Sequence, residues 1–151
     1  MKDLLIEKLY EITKKPYQKW FKKGEAWNVN IKELIAMKSN SLGYHLGCFL
    51  LKHNFEIQPK LEDHDVFHVL TNTGITVQEE IGMQYFLLGN GKKSAYLYSV
   101  ILIGTCFYPS YFKQFLEKYR RGKNSHQIYD LEFQKMLAQP LQLIQTTFNI
   151  Q

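Results

Sequence analysis

Residues 64–80 read HDVFHVLTNTGITVQEE. Val66, Phe67 and Leu70 gather on one side of a helical run, Thr73-Gly74-Ile75 turns the chain back, and Thr76 stands where a second run opens. Asp63 is the expected N-cap of the first helix, which runs to about Thr71. The stretch thus predicts helix, turn, helix. Outward from it the same period continues: Leu5, Leu9 and Ile12; Leu34 and Met37; Leu46, Phe49 and Leu50; Ile81, Tyr85 and Leu88; Phe112, Phe115, Leu116 and Tyr119. Spacing is helical rather than alternating almost everywhere, so an all-α fold follows.

Breaks fall at Lys15-Pro16, Gly24 to Asn30, Ser39-Asn40, Gln58-Pro59, Asn72 to Gly74, Gly89 to Gly91, Pro109, Gly122 to Ser125 and Gln139-Pro140. Between them fit about eight short helices, and no repeat or linker divides residues 1–151, so a single compact domain is expected. Ser41 is a natural N-cap for SLGYHLGCFLLKHN, where Gly43 and Gly47 expose a bare stripe of helix. Either a neighbouring helix or a lipid chain would lie along it.

At 151 residues the chain can bury a sizeable core without disulfides or a structural ion, so a metal site would be functional before it was structural. Aromatic residues make up 15%, enough to pack a core or to line a wide apolar pocket. The formal charge of +5 is a moderate excess, short of a nucleic-acid-binding extreme. It collects at Lys14, Lys15, Lys19, Lys22 and Lys23 and again at Lys118, Arg120, Arg121 and Lys123, interleaved with Tyr17, Trp20, Phe21 and Tyr119. Such patches suit an anionic membrane surface better than base readout; the plain alternative is solvated lysines on a helix face. No nucleic-acid partner is expected.

Cys48 and Cys106 lie in apolar runs with no metal-ligand or CxxC spacing, and read as buried free thiols of a reducing compartment. MKDLLIEKLYEITKK has no signal-peptide apolar region and carries Asp3, Glu7 and Glu11, so it reads as the first helix of the fold. Ser94 to Phe112 is free of charge but interrupted by Gly104 and Pro109, which is short for a bilayer span and predicts a buried helix. The expected location is cytoplasmic, with a peripheral position at the inner face of the membrane as the alternative.

The polar residues of the opening stretch form their own pattern. At about 100° per residue, His64, His68 and Asp65 fall at roughly 0°, 40° and 100° of one helix, an arc facing either water or a cavity. Two His at i and i+4 with a carboxylate suit a borderline cation such as zinc or ferrous iron, and a fourth ligand must then come from elsewhere. The next helix offers Glu79 and Glu80. Thr76-Val77-Gln78-Glu79 is a capping box, so Glu79 has local work, whereas Glu80 occupies the position where a hydrophobic staple would want an apolar partner for Ile75. Complementarity to the helix dipole alone would also excuse a carboxylate there, but of the two glutamates Glu80 is the one to assign to the ion.

His64-Asp65-Val66-Phe67-His68, eleven residues, then Glu80 resembles the HDxxH-x11-E signature of the ubiquinone (coenzyme Q) biosynthesis protein 4 family. Ser41-Leu42-Gly43, His68-Val69-Leu70-Thr71, Glu80-Ile81-Gly82, Tyr119-Arg120-Arg121-Gly122 and the tail containing Pro140-Leu141 resemble it in the same order, over roughly residues 40–150. The resemblance implies an all-helical fold and a divalent ion held by His64, Asp65, His68 and Glu80, with zinc first and magnesium or iron as alternatives. It further implies a long-chain isoprenoid quinone precursor or polyprenyl lipid as ligand and quinone-biosynthesis enzymes as partners, with homo-oligomers allowed. Its activity would be oxidative decarboxylation of the quinone ring, organisation of the biosynthetic complex, or both. Glu79 stands where many members have Gly, Phe133 where many have Trp, and Gln145 where many have Arg.

Two other readings compete. An HD-type metal-dependent phosphohydrolase would draw on His45 or His53 with Asp130, and leaves His68 and Glu80 without roles. A non-enzymatic lipid-binding scaffold would use a closed metal shell only to order two helices. His45, His53 and His126 otherwise read as surface or packing residues.

Overall fold

The computed structural model describes Leu4 and residues 27–57 and 62–150; the expected N-terminal helix, the Lys14 to Lys23 patch and the Gln58-Pro59 break lie outside the described residues. Among the described residues there are seven α-helices, two 3-10 turns and no strand beyond an isolated Ser41–Pro140 bridge. The helices are α1 (Ile31–Ile35), α2 (Leu42–Lys52), α3 (Glu62–Thr71), α4 (Val77–Gly89), α5 (Ala95–Phe107), α6 (Phe112–Asn124) and α7 (Leu141–Thr147). The all-α expectation holds.

Two compact units account for the described residues, one within Gly24–Thr73 and Asp130–Gln151, the other within Gly74–Tyr129. In the first, Asn30 and Glu33 start α1 with a capping box, and the Ser41 hydroxyl accepts from the Tyr44 amide to start α2. The tail completes the α2 cap: the Leu42 and Gly43 amides donate to the Gln139 and Leu137 carbonyls at 2.8 Å each, meeting two of the donors every helix start leaves over. The bare stripe of α2 is filled by protein. A Cβ at Gly47 would stand 2.9 Å from Ile35 Cγ2 and 3.0 Å from Leu34 Cβ, and one at Gly43 would overlap Met37 Sδ. The lipid chain proposed for that stripe has no room there.

Helix α3 already includes Glu62, the first described residue after position 57, so Asp63 lies within the helix rather than capping it. Its buried residues, Glu62, Val66, Phe67, His68, Leu70 and Thr71, run right round the helix instead of along one side. The Phe67 ring meets the Phe133 ring edge-on, 5.4 Å between centroids. The Leu70 carbonyl accepts from Gln145 Nε2 of α7 at 2.9 Å.

In the second unit, α4 packs on α6 through Gly89 and Gly122, where an added Cβ would overlap the Tyr119 and Phe86 carbonyl oxygens. Both glycines read as chain breaks in the sequence. Gly122 instead lies inside α6, because backbone-to-backbone approach, and not a turn, requires it. Asn90, at the end of α4, donates to the Gly122 and His126 carbonyls and accepts from the Ile128 amide.

Helix α5 departs from expectation. It buries only Leu97 and Gly104, with Tyr98 47% and Leu102 68% exposed. Cys106 is exposed on it and Cys48 is half-buried, so the two thiols are unpaired but not the buried pair expected. Gly104 receives Ile81 of α4 against its bare backbone, Val100, Ile101 and Phe107 pack beside it, and the Thr105 and Tyr85 hydroxyls share a hydrogen bond of 2.7 Å. No described helix is long and apolar enough to cross a membrane.

Candidate metal centre

The imidazoles are set by how α3 ends. Asn72 takes a left-handed φ of 48°; the Thr73 amide then donates to the His68 carbonyl at 3.0 Å and the Asn72 amide to the Val69 carbonyl, the paired bonds of a Schellman turn. That turn aims the Thr73 carbonyl back at the helix, where it lies 3.2 Å from His68 Nδ1. A carbonyl only accepts, so a singly protonated His68 carries its proton on Nδ1 and presents the Nε2 lone pair. Nε2 lies 3.2 Å from His64 Nε2.

His68 is held on its flat side as well. Its ring stacks on Phe49 at 5.2 Å and 19°, and Phe49 in turn touches His53 and Phe55, with centroids 4.8 and 6.2 Å away. At 3% exposure His68 is a buried imidazole with both nitrogens and one face accounted for. As a site residue Phe49 has no role in the sequence reading, and His53 enters it only through the phosphohydrolase fit; their i, i+4 spacing at the end of α2 is the signal that could have paired them.

On α4 the predicted division between the glutamates appears. Thr76 Oγ1 donates to Glu79 Oε2 at 2.6 Å, the Thr76 amide donates to the same oxygen at 3.1 Å, and the Glu79 amide donates to Thr76 Oγ1 at 3.3 Å. Gly74 makes room for this, since a Cβ there would come within 2.6 Å of Glu79 Oε1. Glu80 joins the histidines: one ligand atom from each of His64, His68 and Glu80 lies within 4.8 Å of the other two.

The donor set fits an ion. Two bonds of about 2.0–2.1 Å meeting near the tetrahedral angle span close to the separation of the two Nε2 atoms, and the bond of His68 Nδ1 to a carbonyl is the outer-shell support typical of ligating histidines. A group of two imidazoles and one carboxylate could thus hold a divalent metal.

Asp65 is not part of this group. It lines, with Glu62, Trp27, Val29, Leu34 and Leu46, a cavity of about 10 Å³, the room of a single water. Glu62 Oε1 accepts there from the Trp27 amide at 2.9 Å. Asp130 and His45 of the phosphohydrolase fit are likewise not among the converging ligand atoms.

Residues 52–151 match the family model of coenzyme Q (ubiquinone) biosynthesis protein Coq4. The chain belongs to the Coq4 family. A crystal structure from Nostoc punctiforme PCC 73102, of a protein assigned provisionally to ubiquinone biosynthesis, is similar over 99% of this chain and 81% of its own, with a TM-score of 0.62 at 18% identity. At that identity the likeness is one of fold. No curated protein matches. Two of this chain's departures from the Coq4 pattern now have a place: Phe133 and Gln145 both touch α3, one at the Phe67 ring and the other at the Leu70 carbonyl. A Gln in place of Arg still supplies an N–H donor to a helix C-terminus, without the charge that favours that end.

Proposed function

We propose that this Coq4-family protein holds a divalent ion, zinc before magnesium or iron, and uses it on the head group of a long-chain isoprenoid quinone precursor. The observation that carries this reading is the convergence of His64, His68 and Glu80, with His68 fixed in the ligating tautomer by the Thr73 carbonyl. A bound divalent ion supplies a Lewis acid for carboxyl or hydroxyl oxygens of the ring. The chain's own part is positional: Thr73 orients His68, Phe49 stacks on it, and Thr76 keeps Glu79 occupied so that Glu80 serves the site. The activity put forward is oxidative decarboxylation, in which a ring carbon loses its carboxyl group as carbon dioxide and gains a hydroxyl oxygen from a separate oxidant.

Metal content of purified protein tests the site. His68→Ala is expected to weaken metal affinity at least a hundredfold or so, a loss at the upper end of what removing a mere supporting partner costs. Asp65→Asn decides the fourth ligand: equal loss makes it one, as the family signature implies, and retention assigns it to the Glu62 cavity. Unchanged metal content in His68→Ala would sink the reading. Mass spectrometry of native extracts tests the ligand; protein free of any isoprenoid across several lipid supplies contradicts that half.

A second reading, in which the protein docks on an anionic membrane surface to organise pathway enzymes, is favoured by α5. Its outward face is apolar, and Gly74–Tyr129 carries Lys92, Lys93, Lys113, Lys118, Arg120, Arg121 and Lys123 against Glu79, Glu80 and Glu117. The two readings are compatible, since a polyprenyl substrate resides in the bilayer.

A further inference from the structure

Gln84 lies on α4 one helical turn beyond Glu80 and is 2% exposed. Its Oε1 is buried, and no donor reaches it. Buried amide oxygens are nearly always hydrogen-bonded, and an exception in a folded protein calls for a ligand, water or ion to complete it. The contrast with Asn90 on the same helix is direct: there both ends of the amide are bonded, to the Gly122 and His126 carbonyls and the Ile128 amide. Where the fold needs an amide, α4 satisfies it.

Position indicates what completes Gln84. Residues four apart stand one above the other, so Gln84 shares the Glu80 face of α4, one turn further along the helix. Met83 and Leu87, which flank this arc of α4, are fully buried and apolar and have no proton to offer. A carboxamide oxygen beside a metal-ligating carboxylate cannot take its hydrogen bond from Glu80 ionised for coordination, because that group only accepts. The missing donor therefore arrives with whatever the site binds.

Resting on the reading of His64, His68 and Glu80 as a metal centre, we infer that Gln84 contacts the bound ligand, its Oε1 accepting a hydrogen bond from an O–H group brought in beside Glu80. That O–H belongs either to a water at the ion or to a hydroxyl on the aromatic ring. The chemistry is shared, and it selects a hydroxylated ring over its methyl ether.

The test uses the full chain loaded with cobalt(II), comparing unaltered protein with Gln84→Met, of similar length without the amide, and Gln84→Asn, which withdraws the amide by one methylene. Met should fold with an unchanged or raised thermal midpoint when metal-free and bind cobalt within about threefold of the parent, while losing the O–H contact, worth about tenfold. A changed cobalt absorption spectrum with no organic ligand present assigns the O–H to water. Phenol weakened to the level of anisole assigns it to a ring hydroxyl. Asn should repeat whichever loss Met shows. A lowered metal-free midpoint in both variants would make Gln84 a residue of the fold and overturn the inference. So would a spectrum and a phenol-to-anisole ratio both unchanged. Failure of the parent itself to bind cobalt would overturn the metal-centre reading along with this one, whereas normal cobalt binding with silent variants sinks Gln84 alone.

Discussion

Helix α3 carries Glu62, Asp63, His64, Asp65 and His68 in ten residues and buries six of the ten, whereas the thirteen residues of α5, none of them charged, leave all but Leu97 and Gly104 partly or fully exposed. Partners explain the first. Glu62 accepts from the Trp27 amide, Thr71 donates to the Phe67 carbonyl at 2.7 Å, and His68 is bonded to Thr73, so burial leaves these polar groups satisfied rather than stranded. Helix α5 shows the converse: Gly104 meets Ile81, with Val100, Ile101 and Phe107 packed beside it and Thr105 bonded to Tyr85, while among the described residues Tyr98 and Leu102 stay largely exposed. Polarity inside and apolarity outside set these two helices apart, and the metal and membrane readings proposed above rest on one each.

The contrast can be broken by substitution. Leu70→Ala, in the fully buried part of α3, should cost about 2–5 kcal/mol in denaturant unfolding; a cost under about 1 kcal/mol would mean α3 is not the packed helix described. Thr76→Ala at the start of α4 should cost about 1 kcal/mol by removing one side of the capping box, and metal affinity should fall only if the freed Glu79 competes with Glu80. Leu102→Glu on α5 should change stability by less than about 0.5 kcal/mol, as surface substitutions do, while lowering co-sedimentation with vesicles containing anionic lipid. A large destabilisation by Leu102→Glu would return α5 to the core and remove the comparison.

What the sequence disclosed follows the range of the forces involved. The Ser41 and Thr76 caps, the helix–turn–helix of residues 64–80 and the place of Glu79 in the capping box depend on atoms within a few residues, and all were legible. The roles of Gly89 and Gly122 were not, because a glycine that admits another backbone has the same letter as one that ends a helix. Nor was the exposure of α5, since hydrophobicity states what a side chain prefers but not whether a neighbour is there to meet it. The stacking of Phe49 on His68 joins residues nineteen positions apart and is visible only once α2 and α3 pack. Asp65, one position from His64, falls into the cavity beside Glu62 for a related reason: a turn of about 100° per residue is enough to send adjacent side chains to different surroundings.

Thr73 grips His68 twice, its amide on the backbone carbonyl and its carbonyl on Nδ1. Fraying of the last turn of α3 would release both bonds together, freeing the ring to rotate and to exchange its tautomer. Readiness of the imidazole is thereby tied to the opening equilibrium of a single helix end, and the hydrogen-exchange rate of the Thr73 amide becomes a direct clock for how often the site is disarmed.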